Sequence, residues 1–265
     1  PLGAGMSSSA ALESTYAFAL NELFGENKID KFELAKVGQA TEHNYCGVNC
    51  GIMDQFASAM GKKDHAIFLD CKDLSFKYVP LNLNGYKIVM GNTNKKRSLA
   101  ESKYNERCDE CAEALKNLKT AYPEITCLRD VSVSMFEAEK ERISNPVCRK
   151  RAEHVIYECD RVLKSIDALA NDNLSLFGNL MTASHASLRD LYEVTGLHLD
   201  TMVEEALKID GCIGSRMTGA GFGGCTVSIV QESVVNDFIE TVGTNYKKRT
   251  GIEPAFYVSD AADGG

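Results

Sequence analysis

The sequence predicts an α+β fold organised in two domains. Helix-like and strand-like segments occur in groups along the chain, with helices first, strands next and both kinds mixed towards the end. Such grouping is typical of helices and sheets packed in layers. The 265 residues are enough for two ordinary domains. We place the boundary near Asn84–Gly85, which predicts domains over residues 1–84 and 85–265.

Three helices are predicted first. The segment SSSAALESTYAFALNELFG has apolar residues at helical spacing before a glycine stop. The second and third helices are DKFELAKVGQATEHNYCG and GIMDQFASAMG, and strands follow in HAIFLDC, FKYVPLNL and YKIVMGNT. The apolar positions of the first helix are Ala11, Leu12, Ala19, Leu20 and Leu23.

Helices dominate the second half of the chain. They are predicted in RSLAESKYNERCDECAEALKNLKTAY, NPVCRKRAEHVIYECDRVLKSIDALAND, LSLFGNLMTASHASLRDLYEVTG and LDTMVEEALKI. A strand, a glycine-rich loop and a strand follow in CIGSRMTGAGFGGCTVSIV, then a helix in SVVNDFIETVGTNYKKRTG and a strand in EPAFYVSDA. The helix predicted in NPVCRKRAEHVIYECDRVLKSIDALAND is amphipathic. Its predicted apolar stripe is Val155, Ile156, Cys159, Val162, Leu163 and Ile166.

The composition is that of a folded globular protein, with 44% hydrophobic and 25% charged residues. The formal net charge of −8 disfavours nucleic acid or an anionic membrane surface as a partner. No run of about 18 apolar residues predicts a membrane span. A small anionic ligand is compatible with this charge, because helix N-termini and backbone amides bind phosphate without a basic surface.

Ten cysteines are spread through apolar segments rather than framing a small scaffold. This distribution predicts reduced thiols and a cytoplasmic location. Cys108 and Cys111 form a CxxC pair inside a strongly helical pattern, and no second CxxC completes a zinc site. We therefore expect no zinc.

The opening stretch PLGAGMSSSA has the properties of an anion site. Gly3 and Gly5 allow positive φ and close backbone approach. Where a helix begins at serines 7–9, one hydroxyl can cap it while free amides and the positive helix end face a ligand. The alternative is a capped helix start with no ligand. The stretch lacks the lysine of a P-loop and the third glycine of a dinucleotide fingerprint.

One acid stands out in the first half. Asp54 is the only acid in an apolar segment bounded by Gly51 and Gly61, where partial desolvation favours a functional role. The alternative for Asp54 is a helix cap or a structural hydrogen bond. From the residues alone, Glu42 is expected to be a solvated carboxylate on a helix face.

Three features of the second half are ambiguous from the residues alone. Tyr104 fits a core position on its helix, and the loop 219–224 (GAGFGG) fits a tight turn between strands as well as a close backbone approach to a ligand. His185 is expected to be a buried structural histidine rather than a site residue.

PLGAGMSSSA and TGAGFGGC resemble the second and third motifs of the GHMP small-molecule kinases. Within that superfamily, GVNCGIMDQFASAMGKKDHAIFLDC and NTNKKRSLAESKYNERCDEC are similar to galactokinases, and the resemblance continues in order through VSDAADGG. It implies a two-domain GHMP kinase fold with a ferredoxin-like α/β sandwich as carboxyl-terminal domain. It also implies ATP- and Mg²⁺-dependent phosphorylation of galactose to galactose 1-phosphate.

The resemblance also implies roles for individual residues. Asp54 corresponds to the catalytic base, which also contacts the sugar, and Gly51 and Tyr104 correspond to sugar contacts. Ser9 and Glu42 correspond to the magnesium ligands, whose hard oxygens suit that ion. The implied triphosphate cradle consists of Gly3, Ala4, Gly5, Met6, Ser7, Ser8 and Ser9.

Galactokinases also carry, ahead of this loop, a signature rich in Arg, Asn, Gly, Glu, His and Asp. It supplies an arginine beside the base and several sugar ligands. The sequence begins at Pro1, where the strand that feeds the loop should end. We therefore expect an incomplete amino-terminal domain, apolar helix faces without their sheet partner, and little activity for this chain alone.

Two other hypotheses remain open. One is a related GHMP kinase for N-acetylgalactosamine, another sugar or a mevalonate-like alcohol. The other is a galactokinase-like sensor that binds sugar and ATP without catalysis. GIMDQ and SKYNER favour a hexose, and the serines together with Asp54 favour catalysis. The sequence does not indicate an oligomeric state.

Overall fold

The computed structural model describes residues 7–47, 50–95 and 100–265, with only the backbone described at 100–102. Its internal contacts divide the chain into two compact units. The first comprises Pro1–Asn84 and Ser259–Gly265, and the second Gly85–Val258. Each unit is described by itself below.

The first unit packs three helices together and adds a two-stranded antiparallel sheet. The Asp30 side chain caps the second helix by accepting the Glu33 N–H at 2.9 Å. A π-helical turn, Glu42–Cys46, continues that helix. The elements are α1 (Ser8–Leu23), α2 (Lys31–Thr41), α3 (Met53–Met60), β1 (His65–Leu69) and β2 (Phe76–Pro80).

Helix α1 differs from the expectation in its cap and in its buried face. Ser7 occupies the N-cap position in the left-handed region, at φ 52°, and its side chain makes no capping hydrogen bond. A left-handed residue does not have the extended backbone from which a serine normally caps a helix. In the described structure the predicted apolar positions are exposed, as Leu20 (54%) and Leu23 (72%) illustrate. Ala10 forms part of the buried face instead.

The second unit is built on a four-stranded sheet of order β4-β5-β3-β6. Strand β5 pairs antiparallel with both β3 and β4. The strands are β3 (Tyr86–Asn92), β4 (Cys212–Thr218), β5 (Cys225–Gln231) and β6 (Ala255–Ser259). The helices are α4 (Ala100–Leu118), α5 (Val133–Glu139), α6 (Pro146–Ala170), α7 (Leu174–Ser187), α8 (Gly196–Ala206) and α9 (Val235–Thr250).

Among the apolar clusters of the described part of this unit, two are the largest. The first joins the sheet to α8 and α9, and the second joins α4, α5 and α6. Burial of these side chains contributes about 25 cal/mol per Å² of apolar surface. The first cluster includes Val89, Met202, Val230, Phe238 and Tyr246. The second includes Ala114, Leu118, Phe136, Ile143 and Ile156.

The predicted apolar stripe of α6 is partly wrong. Ile156 is buried, but Val162 and Leu163 are 41% and 54% exposed. Arg151 and His154 are buried on this helix instead, because polar groups of neighbouring elements satisfy them. Burial lowers the pKa of His154 to about 4, so its ring is neutral at pH 7.

Strand β4 lies at the edge of the sheet, and helix α7 covers it. The Ser215 N–H donates to Thr182 Oγ1 at 3.4 Å, and the Met217 N–H donates to His185 Nδ1 at 3.2 Å. The two acceptors are three residues apart, so they lie on one face of the helix. His185 is 3% exposed and is a structural histidine, as expected.

The mixed composition of helices and sheets confirms the predicted α+β class. All ten cysteines are free thiols in the structure. Within the described ranges, no helix combines the length and apolar character that a membrane span requires.

Candidate active site

The described part of the glycine–serine loop leads directly into α1. Ser8 and Ser9 are the first residues of the helix, Ser9 is exposed, and the first turn contains no acidic side chain. The amides of such a turn and its positive helix end favour an anion. The Ser7 hydroxyl makes no capping hydrogen bond, so it does not satisfy an amide of the helix. The remaining predicted cradle residues, Gly3, Ala4, Gly5 and Met6, lie outside the described residues.

Glu42 is 8% exposed, so it is not a solvated carboxylate on a helix face. It lies at the start of the π-helical turn and interacts with the Glu13 carboxyl of α1. Gln55 of α3 donates its Nε2–H to Glu13 Oε2 at 3.2 Å. Burial, together with the neighbouring Glu42 carboxylate, raises the pKa of Glu13, against the opposing effect of the Gln55 hydrogen bond.

The oxygen atoms of this cluster fit a magnesium ion. Gln55 is 2% exposed, and its buried Oε1 finds no hydrogen-bond partner among the described residues. Ser9 stands four residues before Glu13, which places the two side chains on one face of α1. Within the described residues no three His, Cys, Asp or Glu side chains form a metal site. Magnesium does not need such a set, because one or two carboxylates and the substrate phosphates usually bind it.

Asp54 lies in the first turn of α3 and is half-buried. The N-cap position of this helix is Ile52, and no side chain caps it. A capping role therefore does not account for Asp54. Gly51 is exposed, and a Cβ atom built on it would have no neighbour within 4 Å among the residues that the structure describes. The backbone at Gly51 is thus open to an incoming ligand.

Tyr104 projects from the first half of α4 and is 46% exposed, so it is not a core tyrosine. A half-exposed ring with a polar tip suits a sugar ligand, which offers both C–H and hydroxyl groups. Arg107 follows one turn later and is 6% exposed.

The glycine-rich loop 219–224 links β4 to β5 through positive φ angles. They are 76° at Gly219, 84° at Gly221, 117° at Gly223 and 91° at Gly224. Residues with a Cβ atom rarely adopt such angles, so the conformation depends on glycine. The Phe222 N–H donates to the Val194 carbonyl at 2.8 Å, which fixes the tip of the loop.

The structure brings some predicted site residues together and places others in the second unit. Glu42, directly after α2, and Asp54, on α3, belong to the three-helix group whose first helix begins at Ser8. Tyr104 and the loop 219–224 lie in the second unit.

The sequence analysis missed Glu13 and Gln55 in the first unit and Arg107 in the second. Glu13 could have been found from its i+4 spacing to Ser9, and Gln55 as a polar residue in an apolar helix. The i+3 spacing of Arg107 to Glu110 predicts only an ion pair on the helix. It does not reveal that Arg107 is buried against backbone carbonyls distant in sequence.

Two family models match the chain. The model of the GHMP kinases N terminal domain matches residues 1–62, and that of the GHMP kinases C terminal matches residues 165–248. The galactokinase of Clostridium acetobutylicum is 53% identical over 264 residues, which are 100% of this chain and 67% of that protein. The galactokinase of Bacillus subtilis is 47% identical with the same coverage.

Solved structures give the same result. The crystal structure of Lactococcus lactis galactokinase complexed with galactose matches with a TM-score of 0.94 at 45% identity, covering 100% of this chain and 68% of that chain. Mevalonate kinase of L. major, in complex with R-mevalonate, matches with a TM-score of 0.60 at 16% identity, which is a likeness of fold alone. The predicted GHMP kinase fold is confirmed.

Proposed function

We propose that the function of this chain, which belongs to the galactokinase family of the GHMP kinases, is the ATP-dependent phosphorylation of galactose to galactose 1-phosphate. The observation that carries the proposal is the burial of Glu42 where three helices meet. One of these helices begins at Ser8–Ser9, and another carries Asp54 in its first turn. A triphosphate site, a metal-binding carboxylate and a base on adjoining helices are the parts that phosphoryl transfer to an alcohol requires.

In the proposed mechanism, each group has one task. The amides and hydroxyls at the start of α1 hold the triphosphate, while Gly51 and Tyr104 orient the sugar. The Asp54 carboxylate accepts the proton of the anomeric hydroxyl as its oxygen attacks the γ-phosphorus. The bond from that phosphorus to the bridging oxygen breaks, and ADP leaves. Orientation of the reacting groups supplies much of the rate, because the protein forms no covalent bond to the substrate.

Magnesium would be held by Glu42 and Ser9 in this scheme. When bound, the ion would neutralise charge on the transferring phosphoryl group. The paired carboxylates and the unpartnered Gln55 oxygen support this assignment. We further propose a cytoplasmic location, because the ten free thiols suit a reducing compartment.

The test of the proposed function is ADP release with galactose, measured on two proteins. One is the 265-residue chain, and the other is an extended chain preceded by the amino-terminal segment of a related galactokinase. The chain spans 67% of the length of the Clostridium acetobutylicum galactokinase, so we expect galactose-dependent turnover in the extended chain and a lower rate in the 265-residue chain. Binding of galactose and ATP without turnover in the extended chain would favour the sensor hypothesis. Turnover on N-acetylgalactosamine alone would reassign the substrate.

Replacing Glu42 by Gln should raise the Mg²⁺ concentration that gives half-maximal activity by at least about tenfold, because one anionic ligand is lost. Stability without Mg²⁺ should not fall, because the change also removes a like charge beside Glu13. Glu33→Gln is the matched control, since Glu33 is an exposed carboxylate on α2 paired with Lys36. An unchanged Mg²⁺ requirement in Glu42→Gln would remove Glu42 from the metal site.

A further inference from the structure

Arg107 is a buried cation that no proposed catalytic step uses. It lies one helical turn after Tyr104 on α4 and is 6% exposed. Its Nε donates to the Tyr192 carbonyl at 2.7 Å, and its Nη2 donates to the Glu193 carbonyl at 3.2 Å. Its Nη1 donates to the Glu110 carboxylate at 2.9 Å. The guanidinium thus donates hydrogen bonds to two consecutive carbonyls of a segment about 85 residues away in sequence.

The carbonyls of the Leu191–Val194 segment take partners from three other elements. Arg151 of α6 donates to the Leu191 carbonyl at 2.6 Å, next to the two carbonyls that Arg107 binds. The fourth carbonyl, that of Val194, accepts the Phe222 N–H of the glycine-rich loop at 2.8 Å. The loop approaches so closely that a Cβ atom on Gly221 would lie 2.2 Å from the Val194 oxygen.

The segment needs these donors because it ends a helix. A π-helical turn, Leu188–Tyr192, closes with Glu193 in the left-handed region at φ 56°, which leaves carbonyls without partners inside the helix. Charged guanidinium donors satisfy these carbonyls and oppose the negative end of the helix dipole. Glu110 accepts from both Arg107 and Arg151 and holds the two cations side by side.

We propose that Arg107 is a positioning residue that couples the helical turn carrying Tyr104 to the glycine-rich loop 219–224 through the Leu191–Val194 segment. The coupling rests on hydrogen bonds within the second unit, and its effect on sugar binding rests on the proposed function. Moving α4 displaces the carbonyls that Arg107 holds, and the adjoining Val194 carbonyl fixes the tip of the loop. Order at Tyr104 and order in the loop are therefore linked, and by reciprocity each stabilises the other.

Amide hydrogen exchange of the 265-residue chain tests the coupling without any substrate. In Arg107→Gln, the Phe222 amide should exchange at least about tenfold faster, while the amides of α9 keep their wild-type rates. Arg107→Lys should lie between the two, because lysine keeps the charge but cannot bind two carbonyls in a fork. It also carries the test if Arg107→Gln does not fold.

Arg149→Gln is the matched control. Arg149 likewise donates to a backbone carbonyl, that of Ile143, at 3.1 and 3.0 Å, and it pairs with Glu141 at 2.8 Å. Its loss should leave exchange at Phe222 unchanged. Equal acceleration at Phe222 and in α9 would mean that Arg107 only stabilises the unit. An unchanged Phe222 rate in both Arg107 variants would mean that no coupling exists.

Kinetics of the extended chain test the consequence for the sugar. Arg107→Gln should raise the KM for galactose roughly tenfold, with a smaller change in kcat, because Tyr104 loses its fixed position. Combined with Tyr104→Phe, its effect should be smaller than the product of the two single effects. If Phe222 exchanges faster in Arg107→Gln but the extended chain without this substitution shows no galactose turnover, the coupling is retained and the proposed function is rejected. If the extended chain phosphorylates galactose and its Arg107→Gln variant keeps the wild-type Phe222 exchange rate and KM, the proposed function is retained and the coupling is rejected.

Discussion

Replacing Asp54 by Asn should lower kcat for galactose phosphorylation in the extended chain by about two to four orders of magnitude. The amide has nearly the shape of the carboxylate but cannot accept the proton of the sugar hydroxyl. Asp54 is half-buried in the first turn of α3, where its side chain serves no capping role. The fold should therefore survive, and thermal unfolding should show only a small shift. Steady-state rates over a range of galactose concentrations provide the measurement.

Asp237→Asn is the matched control for that substitution. Asp237 also lies in the first turn of a helix, α9, and it is exposed. Both changes remove one negative charge near a helix N-terminus, which is worth about 0.3–1 kcal/mol of stability. Only Asp54→Asn should affect kcat. Retention of more than half of the wild-type kcat in Asp54→Asn would exclude Asp54 as the base.

The catalytic candidates could be predicted from sequence more readily than their surroundings. Asp54 stands out because it is the only acid in a short apolar segment. The environment of Glu42 could not be predicted from its sequence neighbours, because the carboxyl beside it, that of Glu13, and the Gln55 side chain bound to Glu13 come from two other helices. Gly38 of α2 allows the Gln55 side chain of α3 to pack against α2, since a Cβ atom at Gly38 would lie 2.9 Å from that side chain. Hydrophobic periodicity carries no information about such a contact between polar groups.

Element types were predicted better than buried faces. Hydrophobic periodicity and glycine stops located most helices and strands of both units. Helix α5 was missed, although the Ser132 side chain caps it by accepting the Met135 N–H. For α6, the apolar rule selected Val162 and Leu163, which are exposed, and passed over Arg151, which is 2% exposed. A buried arginine is stable only with partners, and those partners lie on α4 and on the Leu191–Val194 segment. They become visible only once the helices are packed.

Gly178→Ala should destabilise the protein by about 2–4 kcal/mol, although alanine is the better helix former. A Cβ atom at Gly178 would lie 2.2 Å from the Ile213 oxygen, where β4 contains a register shift. Backbone atoms cannot rotate away, so α7 must move off the edge strand. That movement stretches the hydrogen bonds from Ser215 and Met217 to the side chains of α7. Urea unfolding of the wild-type and variant chains measures the loss.

Gly243→Ala in α9 separates this contact from helix propensity. A Cβ atom at Gly243 would have its nearest neighbour, a side-chain atom of Phe256, at 3.3 Å, and that ring can adjust. Its stability should therefore change by no more than about 1 kcal/mol, in either direction. Loss of the same stability in both variants would mean that the Gly178 contact is not specific. A rise in stability in Gly178→Ala would show that α7 does not approach β4 as closely as the structure describes, because propensity alone would then decide the outcome.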